Sequence, residues 1–460
     1  MMMVGDEGGI IDNSADFKMN ASMTGTKLTK KGSGSLFLMK TNTLQNVVMK
    51  AGAIAIQNNS ALSKIELQGG TLYDDVQATG HAIIVPEGAS ATWQLTYTYY
   101  TAYNNKLTGK GTLTVVPRNS VNRVRITGDW SQFEGTIRHT NNNITLPLDN
   151  DKGMPNATLD VADGCTVSNV CKSFRIGRLT GSGSLIQPVS DFKSQNAVSG
   201  SNTWIIGNSW EENGDFSFAG TISDAGGSNK SIFKKVGTCK MTVSGKSSHS
   251  GTTTIEAGEL CLRSGAQLGT GALSVSKGAV LSGVTMKDTP LTNSLFTING
   301  TLHPGSSATS TMGTLHFNNK NVTISNSGVL VLRVASKSAH TGLAAIGKLT
   351  VNGTIRVEVP DNHTLKPGDE VQLWPATTQF VGTPVFDLAT NVTWDTSRIS
   401  EGVLVVTGVN TGINPALNDT DAKNVYDLRG RLVRRQTTAT STEGLPAGIY
   451  IRGGRKVVVR

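Results

Sequence analysis

The chain has 460 residues, a formal charge of +9 and glycine at 52 positions, about 11% against a usual ~7%. Glycine this frequent, beside many Thr, Ser, Asn and Val, disfavours long helices and favours short strands with many turns. The length permits two or three domains, and no apolar run reaches the ~18 residues expected of a membrane-spanning helix.

The first residues, MMMVGDEGGIIDNSADFKMN, lack the basic region and apolar core of a secretory signal peptide. Leu28–Ile56 reads LTKKGSGSLFLMKTNTLQNVVMKAGAIAI, and Phe233–Leu262 reads FKKVGTCKMTVSGKSSHSGTTTIEAGELCL. The two align with one residue inserted in the second: Gly32 with Gly237, Leu36 with Met241, Gly52 with Gly258. A second template pairs LTGKGTL (Leu107–Leu113) and FEGTI (Phe133–Ile137) with LTGSGSL (Leu179–Leu185) and FAGTI (Phe218–Ile222). Internal similarity of this kind signals stacked units. Within the units the apolar period is two: Leu36 and Leu38 point one way, Ser35 and Phe37 the other. Leu330, Leu332 and Val334 repeat the pattern, as do Ile355, Val357 and Val359. Runs spaced roughly 8–12 residues apart would also suit a sandwich or barrel. Glycine-rich near-repeats favour a solenoid. Coils of ~20–25 residues with strands ~4.8 Å apart would give about 16–18 coils over residues 1–405, a rod of roughly 80 Å.

The segment WQLTYTYYTAY, Trp93–Tyr103, holds four of the seven tyrosines. Trp93, Tyr97 and Tyr99 share one face of a strand, which makes them a candidate platform for sugar rings. The competing expectation is core, with hydroxyls reaching the rim. Trp130 and Phe133, and Phe216 and Phe218, recur in matching units, as packing positions would. Cys165 and Cys171 are close enough to bridge across a loop. Cys239 shares parity with Met241 and Val243, which point inward, whereas Cys261 lies between inward Leu260 and Leu262. Opposite directions forbid a bond between Cys239 and Cys261 without backbone movement.

Glycoside hydrolysis needs paired carboxylates. Adjacent acidic pairs include Asp74-Asp75 and Glu211-Glu212, and neighbours on a strand face opposite ways. HxxxH, HExxH, CxxC, GxSxG and phosphate-loop patterns are all missing, so no metal and no cofactor is expected. His249, His303 and His340 lie in polar or Pro-containing stretches and are expected to be solvated.

Gly251–Gly283, GTTTIEAGELCLRSGAQLGTGALSVSKGAVLSG, resembles the β-strand repeat of autotransporter passenger domains, through SGTTTI, AGEL, LGTGAL and GAVLSG. The resemblance implies an all-β, right-handed parallel β-helix over residues 1–285. The opening resembles the middle of such an array, so a truncated start is expected. INGTLHPGSS, KLTVNGTIRVEV and LKPGDEVQLW resemble the end of these passengers, giving the last coils and cap over 286–407. A linker follows at 408–422.

The end of the chain is the most basic part. Residues 411–460 hold nine basic and four acidic side chains, a net of +5, against +4 for the other 410 residues. Nucleic-acid binding needs basic surface with stacking aromatics. This end offers Tyr426 and Tyr450, both within apolar strands, so no nucleic-acid partner is expected. Short apolar runs alternate with turn formers, the pattern of a small antiparallel sheet. YDLRGRLV (Tyr426–Val433), LPAGIYI (Leu445–Ile451) and the basic-then-Val ending at Arg455–Arg460 resemble the type A C-terminal sorting domain of the type IX secretion pathway of Bacteroidetes-type bacteria. The family implies a sandwich-like antiparallel module over 423–460. It also implies recognition by the type IX machinery through Tyr426, Asp427, Gly430, Arg431, Gly448, Tyr450 and Lys456, and export through the periplasm to the outer-membrane surface or beyond. Together these features suggest a non-catalytic, adhesin-like surface rod that meets a host or biofilm glycan or protein. The rival expectations are a polysaccharide lyase or glycosidase on a β-helix, or the stalk of an enzyme lying upstream.

Overall fold

In the computed structural model the described residues are 1–56, 61–74, 80–96, 101–117, 124–187, 200–226, 228–305, 312–409, 424–434, 445–452 and 455–459. Strands joined by turns dominate, and one short 3-10 turn occurs at Ile399–Glu401. The strands wind into a parallel β-helix of about 15 turns. One face is a continuous parallel ladder from Phe17–Met19 to Gln379–Val381. Its register fixes the coil length. Leu36 pairs with Ile54, 18 residues on, Trp93 with Val115, 22 on, and Phe174 with Trp204, 30 on. Leu349 pairs with Phe380, 31 on. The turns are fewer than 16–18 because several coils are longer than 25 residues and the parallel pairing ends at Val385–Leu388. At ~4.8 Å per strand, 15 turns rise about 70 Å.

Period-two alternation builds the core. The inward column Leu36, Ile54, Leu72, Trp93, Val115 runs straight up the ladder. A second column, Ile255, Val275, Ile298, Ile324, Val351, does the same farther along. All ten side chains are buried, each burial stabilising by roughly 1.5–3 kcal/mol. The opposite faces are a seven-stranded sheet starting at Met2–Val4, a six-stranded sheet starting at Thr101–Tyr103 and an eight-stranded sheet starting at Phe216–Phe218.

The repeated templates turn out to be corner devices. Lys30 and Lys235 occupy matching places, and neither has accessible surface. Lys235 Nζ donates to the carbonyls of Val236 (3.0 Å), Gly237 (3.2 Å) and Ala257 (3.1 Å). Lys30 Nζ donates to the equivalent carbonyls of Lys31, Gly32 (2.8 Å) and Ala51 (3.4 Å). An ammonium has three donors, and each corner supplies three acceptors, so the buried charge is fully hydrogen-bonded. The bonds tie one coil to the next, since Ala51 and Ala257 precede Gly52 and Gly258. Both glycines have positive φ, +70° and +67°, and a side chain there would run into carbonyls and the lysine itself. The FEGTI and FAGTI copies share another device: the rings of Phe133 and Phe218 lie against Gly135 and Gly220, where a Cβ would collide with them.

At the C-terminal end of the solenoid, Glu370–Gln372, Val392–Asp395 and Val403–Val409 form an antiparallel sheet. Its Val371, Val392, Leu404 and Val406 join the solenoid core, and Trp374 stacks on Phe380 at 5.6 Å and 9°. The C-terminal module is a four-stranded antiparallel sheet in the order Leu432–Arg434, Val425–Asp427, Gly448–Arg452, Arg455–Val459.

Candidate functional sites

The aromatic platform does not form at Trp93. Its side chain is buried, because the residue continues the inward column of the ladder. The indole Nε1 donates to Asp74 Oδ2 at 3.2 Å, and the ring meets Tyr103 edge-on at 5.7 Å and Trp130 at 6.4 Å. Tyr97 and Tyr99 lie outside the described residues. Asp74 is also inside, with His81 Nε2 3.5 Å from Oδ2 and Tyr103 Oη donating to the Asp74 carbonyl at 2.9 Å. Burial lowers the His81 pKa to about 4. This is a polar knot within the core, with no open surface for a substrate.

Several carboxylates on the outer wall form ion pairs between successive coils. Arg125–Asp149 (2.8 Å), Arg138–Asp160 (2.9 Å), Lys152–Asp129 (2.7 Å), Lys240–Glu259 (3.1 Å) and Arg333–Glu358 (3.1 Å) are examples. The last two flank His303, which is buried rather than solvated and has its pKa lowered chiefly by that burial. Glu259 aligns through Val280, Thr301 and Val329 with Thr354. Glu259 and Glu358 are therefore four strands apart, on the order of 20 Å. Paired-carboxylate hydrolysis uses separations of roughly 5–9.5 Å. Glu211 and Glu212 are exposed in a loop, not on a strand.

His249 also departs from the solvated expectation. It is buried at a corner, with Nδ1 3.3 Å from the Ile222 carbonyl and Nε2 2.9 Å from Thr253 Oγ1, and desolvation lowers its pKa. His340 is half-buried. All four cysteines are free thiols. Cys171 Sγ lies within donating distance of Asn169 Oδ1 (3.2 Å) and the Ser173 carbonyl (3.1 Å), and burial pushes its pKa up to about 11. In the ladder Cys261 stands beside Thr242 and not beside Cys239. Among the described residues no group of His, Cys, Asp or Glu is placed to hold a metal, and no helix is long and apolar enough to cross a membrane.

The tail motif residues come together in the C-terminal sheet. Asp427 organises the turn that follows it. Its Oδ1 accepts the N–H groups of Arg429 and Arg431, both at 2.9 Å, and Oδ2 accepts Arg431 Nε at 2.7 Å. These bonds hold its carboxyl below the usual carboxylate range, the Arg431 N–H first among them. Gly430 takes φ +76°, which a side chain would resist. Tyr426 pairs with Ile451, and Tyr450 pairs with both Asp427 and Val457. Tyr450 Oη donates to the Pro446 carbonyl at 3.0 Å, across the turn before Gly448. Lys456 is exposed and pairs through its backbone with Ile451. A shallow recess is lined by Asp427, Leu428, Arg429, Gly448, Ile449 and Tyr450. Around it Leu428, Leu432, Ile449 and Val458 are exposed apolar side chains. No protein-family model and no curated protein matches the chain.

Proposed function

We propose that this chain is an exported, non-catalytic β-helical rod, carried across the outer membrane by the type IX machinery through its C-terminal module and held at the cell surface or released. The observation that carries this is the module itself, an antiparallel sheet of its own on which the resembling motif residues converge. Asp427, Arg431 and Gly430 build one rigid turn, and exposed apolar and basic side chains surround it. Such a surface suits protein recognition, since apolar patches rimmed by charge mark interaction sites. A passive role for the solenoid is supported by several outer-wall carboxylates being spent on ion pairs that bind coil to coil. A long repetitive side offers many weak contacts at once, to a glycan or a protein.

The test is a reporter fused to residues 408–460 and directed to the periplasm of a bacterium that has the type IX pathway. The fusion should reach the surface or medium, and Asp427→Ala or deletion of 445–460 should leave it in the periplasm. A fusion retained in the periplasm with the intact tail would sink the proposal.

A further inference from the structure

One ring that the wall presents is Trp210. Trp93, Trp130, Trp204 and Trp374 are buried, and Trp394 belongs to the closing sheet. Trp210 is half-buried, and the Arg178 guanidinium lies over it, 5.8 Å from the ring centroid. Among the described residues no carboxylate pairs with Arg178, and its Nε is buried without a partner. The cation is thus held by the ring, not by an acid.

The place is built rather than incidental. The Trp210 loop leaves the corner between the strands Ser201–Ile206 and Phe216–Phe218. Asn208 pins it: Nδ2 donates to the carbonyls of Gly177 and Gly214, and Oδ1 accepts the Trp210 N–H, all at 3.0 Å. The Gly177 anchor is itself unusual. Met154 pairs with Ile176 but Thr158 pairs with Arg178, so Pro155, Asn156 and Ala157 together oppose Gly177 alone. Bulges of this kind re-aim side chains and gather beside functional sites. Leading up to Arg178 on the same outer face, Thr112, Thr136 and Thr158 stand in register. Alongside, Arg138 and Asp160 pair at 2.9 Å, and Thr180 Oγ1 donates to Asp160 at 3.0 Å.

We propose that Trp210, Arg178 and the Thr136–Thr158 row form a binding subsite for a neutral sugar unit of a polysaccharide lying along the solenoid. A sugar has an apolar C–H face that packs on an indole, and a rim of hydroxyls that both donate and accept. Arg178 donates, and the threonine hydroxyls do both. A neutral sugar is favoured over a polyanion because Glu211 and Glu212 stand exposed beside the ring, and the nearby Arg138 is already neutralised by Asp160. The subsite gives the surface-rod proposal a ligand class. It is tested with purified protein, so it stands or falls separately from export in cells.

The experiment titrates the full chain with oligosaccharides of glucose, mannose, galactose and N-acetylglucosamine, read by calorimetry and tryptophan fluorescence. At least one should bind and perturb the fluorescence. Trp210→Ala should weaken that binding about tenfold, Trp210→Phe less, and Arg178→Ala should also weaken it, with unchanged melting of the solenoid. Failure of all four sugars to bind overturns the proposal, as does Trp210→Ala binding like the wild type. Pectate and alginate serve as polyanion controls, and binding to these alone also overturns it.

Discussion

Lys235→Met is expected to loosen one corner of the solenoid by about 3 kcal/mol. The lysine makes three carbonyl bonds at 3.0, 3.2 and 3.1 Å and has no accessible surface. Methionine has similar length, so it leaves little cavity, but it donates nothing to the three acceptors. Charge-assisted bonds contribute roughly 1.5–3 kcal/mol each, which gives a gross loss well above 3 kcal/mol. Against this stands the cost of burying an ammonium, several kcal/mol, which the variant no longer bears. A repeat protein opens locally, so the assay is amide hydrogen exchange over Phe233–Leu262 and not a global melt. Protection there should fall roughly 100-fold, the equivalent of about 3 kcal/mol. The control is its neighbour Lys234, half-exposed and paired with Glu256 at 2.9 Å on the outer face. Such surface pairs contribute under ~1 kcal/mol, so Lys234→Met should change protection less than ~5-fold. Exchange in Lys235→Met as slow as in the wild type would refute the reasoning, because the desolvation cost would then outweigh the bonds.

Other outcomes follow from the same geometry. His81 has its pKa lowered from 6.5 to about 4 by burial, so the unfolded chain takes up the proton first. Stability is therefore fully present above pH ~6.5 and falls by about 3 kcal/mol as pH drops to about 4, visible as lower amide protection factors around Asp74–Asn105; His81→Gln should flatten that dependence. Gly220→Ala would drive a Cβ into the Phe218 ring and the Gly183 carbonyl, so a lower melting temperature and a local loss of about 1–3 kcal/mol are expected. An unchanged melt would count against so close an approach of coil to coil at that point. In the C-terminal module, the depressed Asp427 carboxyl makes the turn firm at neutral pH and loose as pH falls through its lowered value. Protection factors of the Arg429 and Arg431 amides should fall on acidification, and should be low at all pH values in Asp427→Ala.

The alternation of Leu36 and Leu38 with Ser35 and Phe37 was enough to infer a stack of strands, because a parallel ladder keeps each column in register. The two aligned templates also placed Lys30 against Lys235, yet their role was hidden. A charge is a poor candidate for the interior unless its acceptors are known, and those are backbone carbonyls that no side-chain pattern records. The clue available was a lysine two residues before a shared glycine in both copies. Aromatic density pointed to Trp93, whose place in an inward column depends on pairing with Leu72 from the previous coil. Trp210 stood alone in a polar loop, and only the bulge at Gly177 and the Asn208 bonds reveal how it is held. His249 and His303 sat in polar stretches but fold beneath neighbouring coils, where sequence neighbours say little about surroundings.

The unequal coils have a mechanical consequence. A rod pulled from its two ends would unspool one coil at a time, each release lengthening the chain by its own circumference. At ~3.4 Å per extended residue, the 18-residue coil between Leu36 and Ile54 would yield about 60 Å. The 31-residue coil between Leu349 and Phe380 would yield about 105 Å. A protein tethered at a surface and loaded in shear would then give way in a graded sequence of slips, staying attached while individual coils dissipate the load.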